Sequence, residues 1–168
     1  RFFAHCVVPP YTRLHLNHVN TSQLISHPRI DGVCFTGSVT AGIAIQQSLN
    51  HKFIPCGLEL GGKDAAYVTA EADLTTSVES LVDGAFFNSG QSCCGIERIY
   101  VHDTLYNQFI EEYVELTRQY KLGNPLDTET TLGPMVKTEA ANYVRNQINN
   151  AVSSGAKSLV NENLFKVL

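Results

Sequence analysis

The chain predicts an α/β fold on a mainly parallel sheet, and three observations carry that expectation. A short β-prone run, Gly32-Val33-Cys34-Phe35-Thr36, stops at Gly37-Ser38 and gives way to helical character from Val39 to Leu49. A second run, Ala65 to Thr69, is followed by a helix-period stripe of Leu74, Val78, Leu81, Val82, Ala85 and Phe86. A third, Ile96 to His102, leads into the amphipathic stretch 104–119. Strands alternating with helices at this spacing suit parallel βα units.

Residues 1 to 20 carry no clear period, and Pro9-Pro10 implies extended or turning backbone. Thr21 or Ser22 is the expected cap of a short helix ending near Pro28. Phe53-Ile54-Pro55 can open another strand, broken by Gly57. Asp73 is the expected N-cap of the third helix, because its carboxylate can accept from first-turn amides. Leu105, Phe109, Tyr113, Leu116 and Tyr120 share one face of the next helix. Gly123-Asn124-Pro125 and Gly133-Pro134 punctuate a loop, and Thr138 opens a last helix carrying Ala141, Val144, Ile148 and Val152. Gly155 ends it, and Ser158 to Val160 is a further candidate strand.

Composition narrows the function classes. Hydrophobic and charged fractions of 43% and 17% are those of a folded globular chain, which excludes a disordered one. A net charge of −4 offers no basic footprint for nucleic acid or anionic lipid, and no apolar run reaches the ~20 residues of a membrane helix. The first residues do not suit a signal peptide, and the chain begins without methionine, as a fragment or processed product would. Five cysteines without framework spacing (Cys6, Cys34, Cys56, Cys93, Cys94) suggest reduced thiols of an intracellular, reducing compartment. The expected location is the cytoplasm, with the mitochondrial matrix as the alternative. No Cys-x-x-Cys pair faces a second ligand pair, so no metal site is expected.

Two segments carry the chemistry. Gly90-Gln91-Ser92-Cys93 places a thiol, and Leu58-Glu59-Leu60-Gly61-Gly62-Lys63 a carboxylate between leucines, each inside a glycine-marked turn. An ordinary thiol, pKa about 8.5, is mostly protonated at neutral pH, so a nucleophilic cysteine needs nearby amides or charge. An ordinary glutamate is a weak base until partly desolvated, a change that apolar flanks favour. Phe35-Thr36-Gly37-Ser38 sits at a strand-to-helix turn, where helix N-terminal amides and a serine hydroxyl suit a phosphate.

Together these segments resemble the aldehyde dehydrogenase superfamily. Residues 58–63 match its Glu-Leu-Gly-Gly-Lys signature and residues 86–97 (FFNSGQSCCGIE) its cysteine signature, while Gly42 completes a Phe-Thr-Gly-Ser segment followed by glycine four residues on. Leu132-Gly133-Pro134-Met135-Val136 extends the likeness, which runs from about Pro28 to Val136 and covers the middle third of a typical subunit. The resemblance implies an α/β chain made of the end of a Rossmann-like cofactor domain, residues 1–58, and the start of a catalytic domain, residues 59–168. It implies oxidation of an aldehyde to a carboxylic acid through a thiohemiacetal and a thioacyl enzyme. In that scheme Cys93 is the nucleophile and Glu59 the general base; Gly37, Ser38, Gly42 and Leu60 bind NAD or NADP, NAD being the expected cofactor. Lys63 would be a supporting residue, Cys94 a packing neighbour or a modulator that traps Cys93 on oxidation, and Asn88 and Gln91 would hold the loop by side-chain hydrogen bonds. Full-length members usually form homo-oligomers. The family's Pro-Trp-Asn segment, whose asparagine completes the oxyanion hole, has no counterpart in a chain without tryptophan. Two other readings stay open: an inactive fragment serving as an interaction module, and an NAD-independent thiol redox protein using Cys93-Cys94.

Overall fold

The structure is a computed structural model that describes residues 12–161 and 163; the expectations for Cys6 and Pro9-Pro10 lie outside the described residues. The chain divides into two compact units, Arg1–Gly61 and Gly62–Leu168.

The first unit runs α1 (His18–Ser26), β1 (Val33–Gly37), α2 (Val39–Ser48) and β2 (Cys56–Leu60). β1 and β2 pair in parallel, Val33 opposite Cys56 through Gly37 opposite Leu60, with α2 as the crossover. α1 starts earlier than the sequence suggests. Asn17 is its N-cap, accepting from the Asn20 amide at 2.8 Å, because an Asx oxygen ahead of residues 18–20 outcompetes the later hydroxyls. Gly57 lies inside β2 instead of breaking it, opposite Cys34. Apolar burial is thin here, with Leu49 the buried large residue, and polar links take over. Ser22 and Ser48 share a hydroxyl bond of 2.7 Å, and Ser26 Oγ donates to Ser48 O. Lys52 Nζ donates to the carbonyls of Ile25, His27 and Ile30, satisfying acceptors at and just beyond the end of α1.

The second unit runs β3 (Asp64–Val68), α3 (Leu74–Phe86), a short 3₁₀ turn (Phe87–Gly90), β4 (Ile96–Val101), α4 (Asp103–Arg118) and α5 (Thr138–Ser153). β3 and β4 are parallel neighbours joined through α3. Asp73 caps α3 as expected, accepting from the Thr76 amide at 2.8 Å. The core forms where the helical stripes meet the strands: Val68, Val78, Val82 and Phe109 are buried, with Leu105, Tyr113, Leu116 and Tyr120 packed around them. Each fully buried side chain of this kind contributes about 1.5–3 kcal/mol.

One further expectation fails. Ser158 to Val160 is irregular and not a strand. The α5 stripe finds no cover among the described residues, leaving Val144, Ile148 and Val152 exposed. The anticipated sheet is present as two separate parallel pairs, β1–β2 and β3–β4.

Candidate active site

Cys93 lies on the segment between α3 and β4, and three successive residues before it bend the chain the unusual way. Asn88 (φ 52°), Ser89 (φ 59°) and Gly90 (φ 73°) all occupy the left-handed region. Glycine does so freely, but asparagine and serine pay for it, of order 1–3 kcal/mol each. Local bonds offset part of that cost. The Gln91 amide and its Nε2 both donate to Asn88 O, at 3.1 and 3.0 Å, and Asn88 Nδ2 donates back to Gln91 O at 3.1 Å. The loop-holding role expected of Asn88 and Gln91 is therefore what their side chains perform.

Beyond the turn, Gly95 N donates to Ser92 O at 3.2 Å, closing a second tight turn around the two cysteines. Cys93 and Cys94 are exposed free thiols, and Cys94 Sγ lies 3.3 Å from Ser92 Oγ. Among the described residues the amides of Cys93 and Cys94 donate to no protein acceptor. Two free N–H groups beside a thiol can receive developing negative charge on sulfur or on a bound oxyanion.

The Cys93 carbonyl is also held. Gly62 N donates to it at 3.1 Å. The approach is so close that a Cβ on Gly62 would stand 2.8 Å from Cys93 O and 2.7 Å from Asp64 Oδ1. The second glycine of the glutamate segment is thus a packing requirement of the cysteine segment. One residue on, Lys63 Nζ pairs with Glu97 at 2.9 Å, and Arg98 donates through Nε and Nη2 to Lys63 O at 3.1 and 2.7 Å. A register shift lies between Asp64 and Ala65, where the partner on β4 steps from Ile96 to Arg98. Glu97 is the extra residue, and such a bulge re-aims side chains beside a functional loop. These contacts of Glu97 and Arg98 escape sequence reading, because no periodic pattern announces a bulge.

The remaining candidates belong to the first unit. Glu59 sits in β2, exposed, and not in a turn as its flanking glycines suggested. The strand continues through it because Thr36 of β1 stands opposite. Ser38 is the N-cap of α2, its hydroxyl accepting from the Ala41 amide at 3.2 Å, while Gly42 N donates to Ser38 O. The first-turn amides of Val39 and Thr40 have no intrahelical acceptor, as in any α-helix. Gly37, Ser38, Val39 and Thr40 are all exposed at the end of a parallel strand. This donor set fits an anionic phosphate. Gly42 is buried within α2, where a Cβ would meet Leu60 Cδ2 at 3.0 Å and Leu58 at 3.7 Å. Its visible role is to let helix and strand approach, and it does so against Leu60, itself a cofactor candidate.

The apolar groove between β4 and α4, lined by Ile99, Val101, Tyr106, Phe109, Ile110 and Leu159, contains none of these residues. Among the described residues no group of three His, Cys, Asp or Glu is placed to hold a metal, and no helix is long and apolar enough to cross a membrane.

The family model described as "Aldehyde dehydrogenase family" matches residues 15–166. A succinate-semialdehyde dehydrogenase [NADP(+)] of Deinococcus radiodurans is 35% identical over 146 residues, covering 87% of this chain and 31% of that protein. The crystal structure of an NADP-dependent glyceraldehyde-3-phosphate dehydrogenase from Bacillus halodurans, complexed with NADP, superimposes with a TM-score of 0.79 at 36% identity, covering 86% of this chain and 30% of that one. A betaine aldehyde dehydrogenase from Staphylococcus aureus in complex with NAD+ gives 0.80 at 29% identity, covering 83% and 28%. The chain therefore spans about a third of the length of these three relatives. With the family model covering nearly its whole length, this chain belongs to the aldehyde dehydrogenase family.

Proposed function

We propose that these residues take part in NAD(P)-dependent oxidation of an aldehyde to a carboxylic acid, with Cys93 as nucleophile. The observation that carries the reading is the exposed Cys93 thiol just beyond a strained turn, with its own amide and that of Cys94 unbonded. The Cys93 sulfur attacks the aldehyde carbon, and the Cys93 and Cys94 amides receive the oxygen that becomes negative. A nicotinamide cofactor, when bound, accepts the hydride that leaves the thiohemiacetal carbon. The acyl group then rests on Cys93 as a thioester. Glu59 takes a proton from water, the resulting hydroxide adds to the thioester carbon, and the C–S bond breaks to release the acid and return the thiol.

Gly37, Ser38 and the α2 amides are assigned to the cofactor's phosphates, with Leu60 and the Gly42 contact shaping the strand beside them. NAD is the proposed cofactor in preference to NADP. Residues 1–58 are assigned to cofactor binding and residues 59–168 to catalysis. A cytoplasmic homo-oligomer is the assembly this reading carries with it.

The test is NADH formation by the natural full-length protein over a panel of aliphatic and aromatic aldehydes, with NADP in parallel. Cys93→Ala is expected to abolish turnover and Cys94→Ala to leave most of it. Retained turnover without Cys93 sinks the nucleophile assignment, and turnover with NADP alone sinks the cofactor preference.

A further inference from the structure

We propose that residues 133–136 form a positioning strap for Cys93, acting through Ser89 and Gln91. The proposal rests on the reading of Cys93 as the nucleophile. Its starting point is the left-handed run Asn88-Ser89-Gly90, a conformation that two non-glycine residues hold only when surroundings over-determine it. The bonds between Asn88 and Gln91 are local and move with the turn. Two others reach far along the chain. Ser89 Oγ donates to Gly133 O at 2.5 Å, and Val136 N donates to Gln91 Oε1 at 2.8 Å. They bracket Gly90, so the turn is gripped on both sides of its tightest point.

The strap has a fixed base. Leu132 N donates to Lys121 O at 3.1 Å, Gly123 N to Leu132 O at 3.4 Å, and Lys121 N to Thr131 Oγ1 at 2.8 Å. Lys121 also pairs with Glu129 at 2.9 Å. Residues 121–123 follow directly on α4, whose Phe109, Tyr113 and Leu116 pack in the core. A continuous line of contacts thus runs from the core through the strap to the residues preceding Cys93. The Gln91 amide spans both kinds of bond, accepting from the strap through Oε1 and donating to Asn88 O through Nε2. Ser89 and Gln91 touch no reacting atom in this account; they keep the turn wound and the Cys93 and Cys94 amides unbonded beside the sulfur. A relaxed turn frees those amides to find other acceptors, and Cys93 then behaves as an ordinary exposed thiol.

The test measures alkylation of Cys93 by iodoacetamide in the full chain, in a Cys94→Ala background, with Cys34 and Cys56 as internal controls. Gln91→Leu and Val136→Pro remove opposite ends of one hydrogen bond. Each is expected to slow Cys93 alkylation about five-fold, the size of one neutral hydrogen bond. Together they are expected to slow it no further than the stronger single change, because they act through one contact. Cys34 and Cys56 should react at unchanged rates. An unchanged Cys93 rate, effects that multiply, or equal changes at Cys34 and Cys56 would overturn the strap. The underlying reading fails separately: a Cys93 that responds to the strap in a full-length protein forming no NADH with any aldehyde refutes the nucleophile and leaves the strap standing.

Discussion

Gly61 and Gly62 look interchangeable in the sequence, yet only one of them is pinned. A Cβ on Gly61 meets nothing within 4 Å, whereas on Gly62 it collides with the Cys93 carbonyl and the Asp64 carboxylate. Gly61→Ala should therefore leave stability almost unchanged. Gly62→Ala should cost about 1–3 kcal/mol, the usual penalty for forcing atoms into a packed site, and should displace Cys93. Denaturant unfolding of the two variants checks this; equal effects would contradict the close approach. The same contact shows what was legible at this scale. The signature residues could be recognised as chemistry-bearing types, and Asn88 and Gln91 as loop-holding ones. That Gly62 serves the cysteine, and that Gly42 serves helix packing against Leu60, depends on chain segments meeting in space. No local pattern encodes such meetings.

Among the elements, α3 and α4 were the most readable, because each carries an apolar stripe at helical spacing, and α3 also has Asp73 as a capping residue ahead of it. Their shared core has a pH-dependent consequence. Burial, with a smaller contribution from Tyr120 nearby, pushes the Tyr113 phenol up to about 12 from its ordinary 10.0. A raised value favours the protonated folded form, so Tyr113 contributes fully below pH 10 and the contribution is lost as pH rises towards 12. Tyr113 packs beside Phe109 and Phe86, with ring centroids 5.5 and 6.5 Å away, so Tyr113→Phe keeps the ring and removes the ionisation. Unfolding followed by circular dichroism across this range should be less steep in pH for the variant. An identical pH profile would show that Tyr113 does not report on the core. The less readable elements fail for stated reasons. β2 was obscured by Gly57 and by the glycine pair after it, which mimic a turn, and α1 by an asparagine cap lying ahead of two plausible hydroxyl caps.

Across the whole molecule, the chain carries strand–helix–strand units of the aldehyde dehydrogenase family with little apolar burial of its own. Five hydrophobic residues are buried among those described, against many large exposed ones, including Phe53, Leu126 and the α5 residues Ile148 and Val152. Exposed apolar surface and open parallel strands favour association with other surfaces. The fold class was readable because alternation of strand and helix is a local property repeated along the chain. The uncovered α5 stripe was not, since periodicity reports that a face is apolar and not what lies against it. The central claim is that Cys93 carries the acyl group and Glu59 releases it. Its most direct test is intact-protein and peptide mass spectrometry of full-length Glu59→Gln protein mixed with an aldehyde and NAD. The account predicts one burst of NADH, slow turnover afterwards, and an acyl mass held as a thioester on Cys93. A burst with the acyl mass on Cys94, or full turnover with no trapped thioester, would contradict it.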